Sequence, residues 1–403
     1  MKRNSCVFIL IISLFYSCKK VNKDCNQYEY NNAPEKDWFT SYNGTNEESH
    51  GHFILSCSDG GYLQVGETGF VTNSSKLLVI KTNSDGELLW KKEFSEGNHN
   101  LGNSVIETSD GYLICGALNE NSTIIKLDKN DGSLLFKEVV DNGGSDAFEH
   151  IVQINNGFVA VGYINAEDRL NTFYTEGQGY VTFLDVKGVK QKGININNYI
   201  SHAYRVESLD NEIIIGGLTE NSDDYGLVKM DTIGTVIWNK VFGGSESDHF
   251  FGMDVNDNGY VFLTGHTLSG TKNWDTYTMK VDKNGNKIWE IKVGNPRGFD
   301  PKYIHDEAWG IKSTKDGGCI LIAGTGDEYG NYKKRCGTEG DKSNTWHVYL
   351  VKLTDNGSLE WEKTFGGGKN LNWAGEDIDL TEDGGAIIAV DNGEFGFLKI
   401  ESF

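Results

Sequence analysis

Histidine is the residue whose placement in this chain most invites a chemical reading. Seven of the nine histidines, His50, His52, His99, His150, His202, His249 and His305, fall just ahead of short alternating apolar runs, and His266 closes another run at the same level. Imidazole changes charge near neutral pH, so several of them around one axis would offer general acids and bases. As occupants of one structural repeat position, beside neighbours such as Asp248 and Glu149, they would be hydrogen-bonding groups and nothing more.

Arginine is scarce, five residues against thirty-two lysines, and Arg205 stands beside Tyr204 and close to His202. A planar guanidinium there suits a carboxylate or sulfate, and equally a structural pair with an aspartate. Tyr163, ending a strand of the preceding copy, belongs to the same face. His266, His305, Cys336 and His347 combine soft sulfur with imidazole, a donor set that suits a structural zinc. Their spacing matches no ribbon or finger pattern, so Cys336 reads also as an unliganded loop cysteine. The carboxylate pairs Asp306-Glu307 and Glu376-Asp377 would serve a glycosidase, but they recur at one repeat position, as structural reuse would have it. There is no Gly-x-Ser-x-Gly elbow, no His-Glu-x-x-His and no phosphate-binding glycine loop. Asp-Asn-Gly recurs at hairpin spacing, without the loop a calcium hand needs.

What must position these residues is a repeat. The stretch from Trp238 to Trp289 contains Phe242-Gly243-Gly244, then Asp248-His249, an alternating run to Asp257-Asn258-Gly259-Tyr260, an apolar run closed by Gly265, and Met279 to Gly285. Asx-Gly pairs between alternating runs are hairpin turns, so the unit is four short antiparallel strands. The first turn recurs at Asp59-Gly60, Asp110-Gly111, Asn156-Gly157, Asp210-Asn211, Asp257 to Gly259, Asp316-Gly317 and Asp383-Gly384. A second series falls at Gly86, Gly132, Gly188, Gly234, Gly285 and Gly357, with aromatic anchors at Trp90, Phe136, Trp238, Trp289 and Trp361. Units of this size must stack to bury both faces, and seven of them predict an all-β fold over residues 37–403: a seven-bladed β-propeller of four-stranded antiparallel blades. Trp38 to Gly44 resembles an outermost strand and the last copy lacks one, so the N-terminal strand is expected to close the ring. Function is expected on the face bearing the variable connections, opposite the uniform turns. That face includes the long insertion of copy six between Gly324 and Trp346, with its basic run Lys333, Lys334 and Arg335.

Charge and ends narrow the class. Thirty-seven basic against fifty-eight acidic residues give a net charge of −21, a field that disfavours nucleic acid. Lys2 and Arg3 precede an apolar segment and Leu14-Phe15-Tyr16-Ser17-Cys18, the pattern of a lipoprotein signal over residues 1–17. Cys18 is then the lipidated residue, residues 18–36 a polar tether, and the membrane is met through the lipid. A secretory signal cleaved elsewhere is the alternative. Of the remaining cysteines, Cys57, Cys115 and Cys319 sit on apolar strands and read as core.

The frame Trp-Lys-x-Phe-Gly-Gly, Asp-Gly-Gly-Tyr, Gly-x-Thr, Lys-x-Asp-x-Asn-Gly resembles the propeller repeats of exported proteins from marine and gut Bacteroidetes-type bacteria. With histidines, a tyrosine and an arginine on the channel face, it is similar to the ulvan-lyase type of polysaccharide lyase, some of which hold a structural zinc. The resemblance implies β-elimination at a uronic acid. Arg205 would neutralise the carboxylate, His99, His150 or Tyr204 would act as base and acid, and Tyr163, His202, His249, Lys334 and Arg335 would contact an acidic polysaccharide. The expectation is therefore an exported, lipid-anchored, monomeric lyase with no organic cofactor. The rival is a non-catalytic surface lipoprotein that binds glycan or protein through the same face, and a quinoprotein lacks a cofactor motif.

Overall fold

Turns set the architecture. Asp59 Oδ1 accepts the N–H of Gly61 at 2.9 Å, and Gly60 adopts a left-handed φ of 81° that any side chain would strain. Asp316 and Asp383 hold Gly318 and Gly385 in the same way, at 3.0 Å each. A lysine on the third strand completes the turn. Lys81 is fully buried, with Nζ 3.0 Å from both Asp59 Oδ1 and Thr82 O. Lys352 and Lys399 repeat the contact on Asp316 (2.7 Å) and Asp383 (2.9 Å). Carboxylate and carbonyl replace the water that the ammonium gives up, which makes its burial tolerable.

These hairpins build seven four-stranded antiparallel sheets, the seven blades of a propeller. The computed structural model describes residues 30–403 except 46–47, 70–73, 167–176, 221–223, 329, 331, 333, 337–340 and 369, and of Arg335, Cys336 and Asp341 only the backbone. The leader, Cys18, most of the tether and Lys333 lie outside the described residues. The innermost strands are β2 (Ser49–Ser56), β6 (Asn100–Thr108), β10 (Ser145–Ile154), β14 (His202–Leu209), β18 (Asp248–Val255), β22 (His305–Ser313) and β28 (Ala374–Leu380), which neighbour one another about the axis.

The aromatic anchors and the second glycine series explain each other. Trp90, on the outer strand of the first blade, lies on the turn of the next, where a Cβ on Gly132 would stand 2.6 Å from the indole. Trp38 covers Gly86 and Trp289 covers Gly357 at similar range, and Trp289 Nε1 donates to Asp355 O at 2.9 Å. Each of these blades is thus keyed to its neighbour by an indole seated on a turn that only glycine leaves open. Ring closure follows expectation: β1 (Lys36–Tyr42) pairs antiparallel with β30 (Phe395–Ile400), which pairs in turn with β29 (Ala386–Asp391) beside β28. Lys36 pairs with Ile400 at the face of the tight turns, and Tyr42 with Phe395 at the opposite face. The insertion in the sixth blade carries its own small hairpin, β24 (Arg335–Cys336) with β25 (Asp341–Lys342).

One irregularity recurs in every blade. Each innermost strand slips register by one residue against its partner, at Gly51/Phe53, Gly102/Ser104, Phe148/His150, Ala203/Arg205, Phe250/Gly252, Ala308/Gly310 and Gly375/Asp377. The extra residues are His52, Asn103, Glu149, Tyr204, Phe251, Trp309 and Glu376. A bulge re-aims its side chain, here toward the axis. The recurring glycine of the second strand has the same origin. At Gly66, Gly116, Gly162, Gly217 and Gly265 a Cβ would lie 1.8–2.1 Å from the carbonyl oxygen two residues before the bulge.

The histidines therefore differ from their expected placement. All but His99 among the seven lie within the innermost strands rather than ahead of them. They also occupy several repeat positions: His52 is a bulge residue, His150 follows one, and His50, His202 and His249 stand two residues before one.

Candidate functional site

All seven bulge residues line one cavity on the axis, of about 190 Å³, together with Glu67, His99, Leu101, Tyr163, His202 and Arg205. Read around the ring, Glu376, His52, Asn103 and Glu149 form a polar arc, and Tyr204, Phe251 and Trp309 an aromatic one. The aromatic arc is continuous: Tyr204 to Phe251 is 5.0 Å between ring centroids and Phe251 to Trp309 is 4.2 Å. Such a wall offers a flat apolar face to a ring-shaped ligand while the opposite wall offers charge and hydrogen bonds.

His52 is held at both nitrogens, Nε2 2.9 Å from Glu67 Oε2 and Nδ1 3.1 Å from Asn103 Oδ1. The Asn103 amide is oriented by its own donation to Phe148 O at 2.9 Å. Two acceptors require two N–H groups, so the geometry is that of an imidazolium. Burial opposes the charge, but the Glu67 carboxylate outweighs it and raises the His52 pKa to about 9. His202 Nε2 lies 3.0 Å from Glu149 Oε1, and its ring is stacked on Tyr204 at 4.2 Å and 15° and packs against Tyr163 at 4.7 Å. Burial, reinforced by Asp391, holds the Glu376 carboxyl well above the ordinary range, against the pull of His52 and His50. Arg205 gives one N–H to Tyr204 O at 3.3 Å.

Below the ring the bore is closed. Phe53, only 8% exposed, meets the His150 ring edge-on at 5.5 Å and the Arg205 guanidinium at 6.0 Å, from across the axis. Beneath it, toward the turn face, Lys312 lies 3.5 Å from Asp379 and 4.0 Å from Asp254, carboxylates that also accept the N–H groups of Ser56 and Ser313 at 2.8 Å each. These carboxylates tie neighbouring blades together. Above the ring, an outer cleft of about 550 Å³ crosses the sixth, seventh and first blades and shares Trp309 and Glu376 with the inner cavity. Trp346, Asn372, Trp373 and Asn392 line it, along with His50, whose hydrogen bond to Asp391 (3.2 Å) raises its pKa to about 9.

Of the residues expected to act, His99, Tyr163, His202, Tyr204 and Arg205 come together in the inner cavity. His150 does not line it. Its Nδ1 is 3.0 Å from Val206 O, and burial, with Arg205 nearby, drives its pKa well below the usual value. His249 is directed at His266, Nδ1 to Nε2 3.3 Å, with Trp274 at 4.5 Å, behind the aromatic arc. Lys334 stands beside Tyr332 on the insertion and lines neither cavity; the Arg335 side chain is outside the described residues.

Among the described residues, the expected zinc ligands His266, His305 and His347 do not gather as a set. His266 is engaged with His249, burial and then Arg297 push His347 down to about 3, and the Cys336 side chain is not described. Among the described residues the group whose ligand atoms lie within 4.8 Å of one another is His305, Glu307 and Glu328. Arg297, buried and donating to Thr345 O (2.8 Å) and Ser343 O (3.1 Å), fastens the base of the insertion instead.

Sequence reasoning named His52 only as one of seven histidines, took Glu149 and Glu376 as structural repeats, and passed over Asn103, Phe251 and Trp309. The signal existed. Each bulge residue stands seven positions before an Asx of the first turn: Asp59, Asp110, Asn156, Asn211, Asn258, Asp316 and Asp383.

No family model matches the sequence, and no curated protein does. Solved structures share the fold. A catalytically inactive variant of virginiamycin B lyase from Staphylococcus aureus, with quinupristin, superposes with a TM-score of 0.57 at 14% identity, over 90% of this chain and 99% of that one. Hydrazine synthase from Kuenenia stuttgartiensis gives 0.56 at 11% (87% and 94%), and the Neurospora crassa Pan2 WD40 domain 0.55 at 9% (88% and 89%). Neighbours of such varied function establish a seven-bladed propeller and leave activity to the site itself.

Proposed function

We propose that the chain is a carbon–oxygen lyase that cleaves a uronic-acid-containing, ulvan-like polysaccharide by β-elimination. The observation that carries this reading is the inner cavity, where a guanidinium edge, a carboxylate-held imidazole and a protonated carboxyl surround a space the size of one sugar ring. Arg205 pairs with the substrate carboxylate and, with the fixed charge of His52 behind it, stabilises the carbanion that forms at C5. Glu149, which faces the cavity and is held by His202 Nε2 at 3.0 Å, is the base whose carboxylate takes the C5 proton. The electron pair becomes the C4–C5 double bond, the C4–O4 bond breaks, and Glu376 protonates the departing O4. Tyr204, His99 and Tyr163 complete the wall that orients the ring, so the base and acid differ from those the resemblance suggested.

The test is absorbance near 235 nm, where unsaturated uronates absorb, on incubation with ulvan and other uronate polymers. Activity lost in Glu149→Gln and Glu376→Gln but not in an outer-strand variant such as Lys137→Ala supports the reading; no absorbance across the panel refutes it. The aromatic arc favours a second reading, a non-catalytic glycan-binding propeller, which predicts retained binding without absorbance. Export with lipidation at Cys18 belongs to the same proposal, and labelling with a fatty-acid analogue, abolished by Cys18→Ala, tests it. A structural metal is proposed without a mechanistic role, and elemental analysis of the purified protein tests it.

A further inference from the structure

We infer that the inner cavity admits only the terminal residue of a glycan chain, a uronate at the reducing end, so that the protein works from chain ends. This rests on the lyase reading for its chemistry and on the shape of the funnel for its direction.

Three observations carry it. First, the bore is plugged: Phe53, from the first blade, fills the axis against His150 and Arg205 from the third and fourth, so a polymer cannot thread through the ring. Second, the cavity above that plug is small. Pockets that engulf a drug-sized ligand run to roughly 300–1,000 Å³, whereas this one encloses about 190 Å³, one pyranose ring walled by residues from all seven blades. An internal sugar needs two exits, one for each neighbour. Third, the cavity borders the outer cleft, and Trp309 and Glu376 line both spaces.

The throat residue fixes the polarity. Glu376 is the carboxyl placed to protonate the departing oxygen, so O4 of the bound uronate must point at the throat and the rest of the chain must leave through O4. A uronate whose only linkage is through O4 is the reducing-terminal residue. Cleavage then releases one unsaturated uronate into the cavity, and the shortened chain, carrying the O4 oxygen as its new reducing-end hydroxyl, stays in the outer cleft. That cleft is about three times the inner volume and is lined by Trp346, Trp373, Asn372 and Asn392, side chains that suit stacking and hydrogen bonding to a short run of sugars.

The experiment uses the full chain with oligogalacturonates and oligomannuronates of two to six residues, each before and after borohydride reduction, which opens the reducing-terminal ring. Binding is read by calorimetry and cleavage by absorbance and mass spectrometry. Native oligomers are expected to bind about tenfold or more tighter than their reduced forms, and to yield a single unsaturated uronate as first product. Trp346→Ala should flatten the gain in affinity with chain length. Equal binding and cleavage of native and reduced oligomers, or early products of mixed length, would overturn the inference and leave the lyase reading intact. End-dependent binding without any new absorbance would do the reverse. Absence of both binding and cleavage overturns the two together.

Discussion

Replacing Glu67 with glutamine should uncouple the fixed charge of the channel from pH. In the folded protein His52 is raised from 6.5 to about 9, against its burial, by the Glu67 carboxylate 2.9 Å away. A group raised on folding contributes stability that is complete below its unfolded value, near 6.5, and disappears as pH climbs through about 9. At 1.36 kcal/mol per tenfold, that shift is worth ~3 kcal/mol. The Glu67→Gln side chain keeps a hydrogen-bond acceptor and loses the charge, so burial is opposed only by the Asn103 hydrogen bond and Glu376, and the His52 pKa falls. The difference in unfolding free energy between wild type and Glu67→Gln, from urea denaturation, should therefore be ~3 kcal/mol larger at pH 6 than at pH 9.5. His50 titrates in the same range, chiefly through its hydrogen bond to Asp391, which both proteins keep; Glu67 and His52 bear on it less. Long-range proton–nitrogen spectra of the His52 ring give a direct second readout, with both nitrogens protonated at pH 7.5 in the wild type only. A difference independent of pH, or a neutral His52 at pH 7.5 in the wild type, would refute the reasoning.

Three further outcomes follow from the same structure. Lys81→Met should cost ~2 kcal/mol or more in urea denaturation, because it removes the buried ammonium that bridges the turn carboxylate and Thr82 O, whereas Lys137→Ala, whose pair with Glu96 is exposed, should change little. A chain beginning at Asn43 loses β1 and bares the edge of β30; it should melt at least several degrees lower and associate on size-exclusion chromatography. If Glu376 is the acid, the rate on uronate polymer should fall as pH rises through about 8, and Glu376→Gln should lose roughly a hundredfold or more with that alkaline limb abolished.

The architecture was legible because its determinants are local. Asp-Gly turns, buried lysines and indoles recur at fixed intervals, and the last copy visibly lacked the strand that Trp38 to Tyr42 supplies. The site was only half legible, for a geometric reason. A strict alternation assigns His150 and Arg205 to one face, yet the bulge at each innermost strand inserts a residue and sets Glu149 and Tyr204 toward the cavity. Simple alternation misassigns the residues beyond an insertion, and the bulge shows only in its fixed distance from the Asx of the following turn. The second-strand glycines hinted at it, since their missing Cβ makes room for the displaced carbonyl. His266, Cys336 and His347 were joined as a zinc set by residue type alone, and nothing in a sequence tells which of them share a blade edge.

The closing strand also dictates a bearing. Because β1 enters at Lys36 on the side of the tight turns and runs up to Tyr42 at the funnel side, the closing strand begins at the underside of the disc. The seam that seals the ring thus starts at one rim and finishes at the other, so a tie placed at its first residue and a guest in the funnel sit a full strand length apart.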